Sequence, residues 1–313
     1  MRIIVIFIFL ASTTFIYSQA CCSAGSPLLS SIEVSSSQKG VLRFGLTYEF
    51  NYLNDVFTQT TNINDNTRRR IVHSVLLETN YGLTSRISVS SLLTFINQRR
   101  IIFSSQPTQN KISTLGISDA VVLVKYNFLP LTILNKNEFS IGAGIKIPFG
   151  ESTLREQGIL LPADLQPGSG AWDYLVSAYG SKSFFPSLPL NIFGNVSFRV
   201  NGTNNRFGDN FEGYSFGNEF IGTLGAGYRT NSIWDFSLMF RYRNTKPDQF
   251  ANHEIANTGG NWLYVVPGIN ANLNNQITVR FSGSIPLYRD LTGTQLTTTY
   301  TTNVTIFYTL NNL

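Results

Sequence analysis

Leu42, Phe44, Leu46, Tyr48, Phe50 and Tyr52 fall on one parity of the chain, and Arg43, Gly45, Thr47, Glu49 and Asn51 fall on the other. Successive side chains of a strand point to opposite faces, so a period of two predicts a β-strand with one apolar and one polar face. Its length, about eleven residues, exceeds the usual strand of about five or six. Such a strand either buries its apolar face in a soluble core or presents it to lipid.

The pattern recurs along the whole chain. In 71–81, Ile71, Val75, Leu77 and Tyr81 oppose Arg70, Ser74, Glu78 and Asn80. In 86–96, Ile87, Val89, Leu93 and Phe95 oppose Arg86, Ser88 and Ser90; in 118–128, Val122, Val124 and Tyr126 oppose Asp119, Lys125 and Asn127. In 138–149, Ile141, Ile145 and Phe149 oppose Glu138, Ser140 and Lys146. Trp172, Tyr174 and Val176 then oppose Asp173 and Ser177, and Ile192, Val196 and Phe198 oppose Asn195 and Arg199. Tyr214, Phe216, Phe220 and Leu224 oppose Glu219 and Thr223, and Trp234, Phe236, Leu238 and Phe240 oppose Asp235 and Arg241. Near the end, Ile277, Val279 and Phe281 oppose Thr278 and Arg280, and Leu296, Tyr300, Val304 and Ile306 oppose Thr297, Asn303 and Thr305. Segment 261–273 is apolar on both parities, and its faces stay unassigned. In every segment whose faces can be assigned, the apolar set carries no Asp, Glu, Lys or Arg.

A core holding all these aromatic rings would overfill a small soluble barrel, whose interior is just filled at about eight strands. With the faces reversed, the apolar set meets lipid, where one charge costs about 2–4 kcal/mol near the midplane. Aromatic residues at the segment ends, such as Tyr48, Trp172 and Trp234, then form interfacial girdles. Composition agrees: only 13% of the 313 residues are charged, against about 25% in a soluble domain. Past the N-terminus no run of 18 or more apolar residues exists, so no transmembrane helix is expected. A closed barrel is the remaining way to cross lipid without unpaired backbone groups. The expected fold is all-β: a transmembrane antiparallel up-and-down β-barrel of about 12 strands over residues 40–313, in the cell outer membrane of a Gram-negative envelope.

Connections after even-numbered segments are short (82–85, 186–190, 273–276), while those after odd-numbered ones run to 97–116 and 150–170. Short periplasmic turns and long external loops are the outer-membrane arrangement, and loop 150–170 is long enough to constrict the mouth. Residues 1–20, with Arg2 before an apolar run and Ser18 and Ala20 at its end, read as a signal peptide. Residues 21–39 then form an N-terminal periplasmic segment that either hangs free or tucks into the lumen. Adjacent Cys21 and Cys22 are poor partners for each other and, with no histidine nearby, suggest no metal site.

The net charge of +5 comes from scattered residues rather than a basic patch, which argues against nucleic acid as a partner. Outer-membrane lipid, small-molecule solutes and the barrel-assembly machinery are the expected partners. The only histidines, His73 and His253, have no converging partners by spacing, so no catalytic centre, metal or cofactor is expected. The functional feature is the row of inward charges: Arg43, Glu49, Arg70, Glu78, Arg86, Asp119, Lys125, Lys146, Asp173, Arg199, Glu219, Asp235, Arg241 and Arg280. They line either a pore with a slight positive excess or a lumen closed by ion pairs. The corresponding functions are passive passage of small solutes, or a closed barrel acting structurally or through its external loops.

The stretches YGLTSRISVSSLLTF (81–95), GISDAVVLVKYNF (116–128), GIKIPFG (144–150), QPGSGAWDY (166–174) and SIPLYRDLTGTQL (284–296) resemble an outer-membrane barrel family. Its members are labelled transporters or "MetA-pathway of phenol degradation" proteins. The resemblance implies a β-barrel channel for small aromatic or poorly polar solutes. Phe149 stands where the family carries Thr, and the sequence closes on Tyr308-Thr309-Leu310-Asn311-Asn312-Leu313 rather than on the aromatic residue usual in assembly signals.

Overall fold

Period-two alternation becomes a continuous antiparallel sheet that closes on itself. The computed structural model describes residues 36–103, 110–129, 137–184, 187–209, 212–230 and 232–311. The expected signal peptide, the pair Cys21 and Cys22, and residues 23–35 lie outside this set. In chain order the strands are β1 (Leu42–Gln59), β2 (Thr61–Ile63), β3 (Arg68–Gly82), β4 (Ile87–Ile102), β5 (Asn110–Ile117) and β6 (Ala120–Asn127). They continue with β7 (Glu138–Ile147), β8 (Arg155–Glu156), β9 (Ile159–Leu160), β10 (Asp173–Ser183), β11 (Leu190–Asn201) and β12 (Tyr214–Ser215). The remainder are β13 (Glu219–Arg229), β14 (Trp234–Thr245), β15 (Gln249–Phe250), β16 (His253–Glu254), β17 (Gly260–Asn272) and β18 (Ile277–Leu310).

The wall runs β1-β3-β4-β6-β7-β10-β11-β13-β14-β17-β18, and β18 returns to β1, so the barrel has no open edge. The short β2 and β5 extend β1 and β4 beyond that path. Eleven strand elements therefore close the ring, and the last supplies two walls. At 34 residues, β18 would be about 110 Å long if straight. Instead Gly293 turns the chain with a positive φ of 74°. The half from 278 to 291 pairs with β17, the half from 291 to 310 pairs with β1, and Thr309 N donates to Gln276 O at 2.8 Å. The chain thus crosses the barrel twelve times.

The faces are inverted relative to a soluble protein. Leu46, Leu77, Phe236 and Leu224 are 45–63% exposed, whereas Lys125, Lys146 and Arg199 are no more than 2% exposed. The side expected to meet lipid is thus the outside of the barrel, and the polar side is its interior. Close approach inside depends on small residues. A Cβ on Gly45 would stand 3.0 Å from the Phe307 ring, its cross-strand neighbour. One on Gly150 would stand 2.4 Å from the Gly168 backbone.

Four expectations change. Arg86 precedes β4 in an exposed turn and donates to Tyr126 Oη at 3.0 Å, so parity alone carried it one residue too far. Tyr214 and Phe216 do not face lipid. They are buried against Phe207 and Ala163 in a loop cluster, because barrel strand β13 begins only at Glu219. Leu296 is buried with Leu53 and Val56, because register shifts between Tyr52 and Asp55 exchange the faces beyond them. Segment 261–273 has resolved faces: Trp262, Tyr264 and Val266 point inward and are buried, while Ile269 is exposed.

Candidate functional site: the barrel interior

We call the end carrying the tight connections the short-turn end and the opposite one the long-loop end. Loop 148–172 enters the barrel from the long-loop end, and its residues from Ala163 to Ser169 are buried. Two side-chain clamps hold it. Arg70 from β3 pairs with Asp164 at 3.1 Å and also donates to Asp164 O and Gln98 Oε1, while Gln98 from β4 donates to Leu165 O at 2.7 Å. On the opposite flank, Lys146 at the end of β7 lies 3.0 Å from Asp119 and 2.8 Å from Asp173. Asp119 accepts from the Ser169 backbone at 3.0 Å and from Ser169 Oγ at 2.6 Å. A third ionic group stands beside them: Glu219 takes Arg199 at 3.0 Å and Arg243 at 2.7 Å. Lys146 and Asp173, like Arg199 and Glu219, are direct cross-strand partners, so strand register alone brings the charges together.

One inward position toward the short-turn end, the lining changes character. Two residues after Asp119, Asp173 and Glu219 come Val121, Leu175 and Ile221. With Leu76 and Leu92 they form one buried cluster drawn from five strands. The contributing strands run from β3 to β13 around the wall, so these side chains form a buried apolar belt, the waist, along that side of the interior. Each fully buried aliphatic side chain is worth about 1.5–3 kcal/mol. Beyond the waist the lining is polar again, with Ser88, Ser90, Lys125, Asn127 and Ser140 all buried. At the short-turn end the chain before β1 crosses the opening. Lys39 bridges Gly82, Ser37 Oγ donates to Asn80 O at 3.3 Å, and Ser36 N donates to Glu138 Oε1 at 2.7 Å.

The wall from β14 through β18 to β1 is different. Arg43, Glu49, Asp235, Arg241 and Arg280 are only half-buried. Arg43 and Arg280 both lie over the inward Phe307 ring, at 4.0 and 5.1 Å, and Arg280 Nε donates to Asn270 Oδ1 at 2.7 Å. Asp235 accepts from Asn272 at 2.7 Å. Arg241 sits between Thr223 and Tyr264 in register.

The fourteen candidate lining residues thus divide. Arg70, Asp119, Lys146, Asp173, Arg199 and Glu219 meet in the ionic groups. Glu78 and Lys125 are buried on the short-turn side of the waist. Arg43, Glu49, Asp235, Arg241 and Arg280 stand on the half-buried wall, and Arg86 lies outside the interior. The waist was missed because it occupies the polar parity. Its signal is an acid followed two residues later by an aliphatic, in Asp119-Ala120-Val121, Asp173-Tyr174-Leu175 and Glu219-Phe220-Ile221.

The histidines stay apart from all this. His73 Nδ1 is 2.7 Å from Tyr48 Oη, and Phe50 is its cross-strand partner on the lipid face. His253 is exposed in the β15–β16 hairpin. Among the described residues no three His, Cys, Asp or Glu side chains gather as a metal site.

No family model matches the sequence. No curated protein matches it either. Among solved structures the chain is similar to the COG4313 outer membrane channel from Pseudomonas putida F1, with a TM-score of 0.71 at 11% identity over 89% of this chain and 98% of that one. Weaker likenesses include the β domain of a Bordetella autotransporter (TM-score 0.46, 10% identity, 85% and 99% covered) and the P. putida toluene transporter TodX (TM-score 0.43, 10% identity, 88% and 92% covered). The fold is that of an outer-membrane β-barrel.

Proposed function

We propose that the chain is an outer-membrane channel, shut at rest, for passive passage of small, poorly polar solutes. The observation that carries this reading is the waist. An interior devoted to ions or sugars has no use for a buried apolar belt of Leu76, Leu92, Val121, Leu175 and Ile221, since desolvating a polar solute there costs several kcal/mol. A small aromatic molecule meets no such cost, and hydrophobic constrictions hold back ions by dewetting. The clamped loop and the chain segment across the other mouth make the resting state closed. Opening then means withdrawing loop 148–172 and parting aliphatic side chains, without breaking the barrel. Short turns face the periplasm in outer-membrane barrels, which supports an external position for the clamped loop, where solute arrives. The motif resemblance to phenol-degradation barrel proteins and the channel character of the P. putida F1 neighbour both support this direction.

The test is uptake into vesicles with a lipopolysaccharide outer leaflet, which slows unaided entry of apolar molecules. The expected result is faster entry of phenol than in protein-free vesicles, with no gain for glucose or glycine. Equal gains for all three solutes would mean a wet pore. No gain for any, with a folded barrel, would favour the rival reading of a closed barrel acting through its external loops.

A further inference from the structure

On the outer face of the barrel, the long-loop ends of β3, β4 and β5 carry three cations. Arg69 and Lys111 both stand opposite Ile101 in register, and Arg99, two residues before Ile101, is diagonal to each. Diagonal neighbours on antiparallel strands lie about 7–8 Å apart, so the three side chains share one patch. Alternation turns them outward: Arg70, Gln98 and Thr114 are buried on the inner face, while Arg99, Lys111 and the outward Leu115 and Ile117 are exposed. Nothing in the protein balances this charge. Among the described residues none of the three cations pairs with a carboxylate, and Asp65, the acid nearest Arg69 in the chain, is held by Arg68 at 2.9 Å. Arg69 lies over the Phe103 ring at 4.9 Å, and its Nε has no hydrogen-bond partner. The outward parity of β3, β4 and β5 holds no Asp or Glu. Like charges set side by side on a sheet repel, so the patch costs stability until an anion joins it.

The surface next to the patch is apolar. Toward the short-turn end, the row after Arg99 holds His73, Asn97 and Leu115, and the following row holds Val75, Phe95 and Ile117. Those last three are 41–52% exposed on the face that meets lipid. Two rows along a strand span about 14 Å, so the cations stand just outside the apolar band, at the depth of lipid head groups. Other strands present exposed aromatic rings near this end instead, such as Trp172, Tyr242 and Tyr288. The cations are therefore confined to one sector of the wall.

We infer that this sector is a docking site for lipid A, the phosphorylated glycolipid anchor of lipopolysaccharide. Its phosphates take the guanidinium donors of Arg69 and Arg99 and the Lys111 ammonium as charge-assisted hydrogen bonds. Its acyl chains lie along Leu115, Ile117 and Phe95. Charge complementarity selects the occupant: an anionic head group directly above hydrocarbon matches cations directly above apolar rows, whereas a zwitterionic lipid leaves the surplus unmet. From the preceding section this takes only the external position of the long-loop end, not the passage of solutes.

The test is native mass spectrometry of the full chain in detergent, titrated with purified lipid A, with the same lipid A stripped of its phosphates, and with phosphatidylglycerol. The expected result is lipid A binding at least ~10-fold tighter than either comparison lipid. Arg69→Gln/Arg99→Gln/Lys111→Gln should remove that preference, while Arg229→Gln, which neutralises an exposed cation at the short-turn end, should keep it. Equal binding of the three lipids by the wild type would overturn the inference, as would a triple variant that still prefers lipid A. Phosphatidylglycerol held as tightly as lipid A would mean a general attraction for anionic lipid and would overturn it too. If the triple variant fails to fold, Arg99→Gln alone should weaken lipid A binding at least ~3-fold, and an unchanged affinity there counts against the site. Phenol uptake by vesicles is read separately, so a channel that passes phenol but shows no preference for lipid A would sink this inference alone.

Discussion

The two sides of the barrel interior use the same residue types to opposite ends. On the side from β3 to β13, Lys146 stands opposite Asp173 and Arg199 opposite Glu219 in strand register, and all four are buried. On the side from β14 to β1, Arg241 stands opposite Thr223 and Tyr264, Glu49 opposite Ser74 and Asn303, and Arg43 opposite Asn80 and Thr309. Those charges stay half-buried, and Arg43 lies over the Phe307 ring. An inward charge is thus not a pore residue by virtue of pointing inward. Register contributes: a direct cross-strand counter-charge lets Lys146 with Asp173, and Arg199 with Glu219, give up water together.

That contrast breaks first at Lys146. Lys146→Met leaves Asp119 and Asp173 buried without their shared cation, and removing one member of a buried ionic group costs about 3–5 kcal/mol. Arg280→Gln on the half-buried wall should cost under ~1 kcal/mol, as exposed pairs do. Urea titration followed by heat-modifiable gel mobility separates the two. Similar midpoints for both variants would mean that Lys146 is solvated after all.

The waist comes next. Ile221→Ala should destabilise by about 2–5 kcal/mol while widening the constriction, whereas Met239→Ala on the half-buried β14 face should cost less. Denaturation and bilayer conductance measured on the same preparations show whether the cost and the leak travel together.

The smallest effect lies in the loops of the long-loop end, where Asp248 receives Tyr214 Oη at 2.6 Å and Gly217 N at 2.8 Å. Burial pushes the Asp248 carboxyl above its ordinary range, against the pull of those hydrogen bonds. The folded loops therefore hold a proton that the unfolded chain releases near pH 3.9. Loop stability is greatest below that value and falls as pH rises through the raised pKa. Asp248→Asn should flatten this slope, read as hydrogen exchange in 212–218 and 246–258 against pH. A slope that survives the substitution would assign it to another group.

Much of the barrel was legible because lipid and lumen punish mistakes on opposite parities. The runs at Leu42–Tyr52 and Trp234–Tyr242 needed only alternation to be placed correctly. Where legibility failed, a second environment intervened. Segment 261–273 hid its faces because its outer side meets lipid while Trp262, Tyr264 and Val266 meet an apolar interior, so both parities are greasy. Tyr214 and Phe216 keep the alternation but belong to a loop core with Phe207. Leu296 follows a register shift that no side chain announces. The waist was the larger omission. Leu175 and Ile221 sit on the charged parity, and their packing together depends on strand order and curvature around the wall, which the alternation of single strands does not contain. The clamp on loop 148–172 was hidden for the same reason: Arg70 and Asp164 lie 94 residues apart.

The most direct test of the dry waist is conductance in a planar lipid bilayer, comparing the wild type with the Leu92→Ala/Ile221→Ala pair under identical salt. The wild type should show only rare, small ion steps, and the trimmed variant should conduct persistently through the same barrel. Steady ion conductance in the wild type, unchanged by trimming, would contradict the waist and return the interior to an open, wet pore.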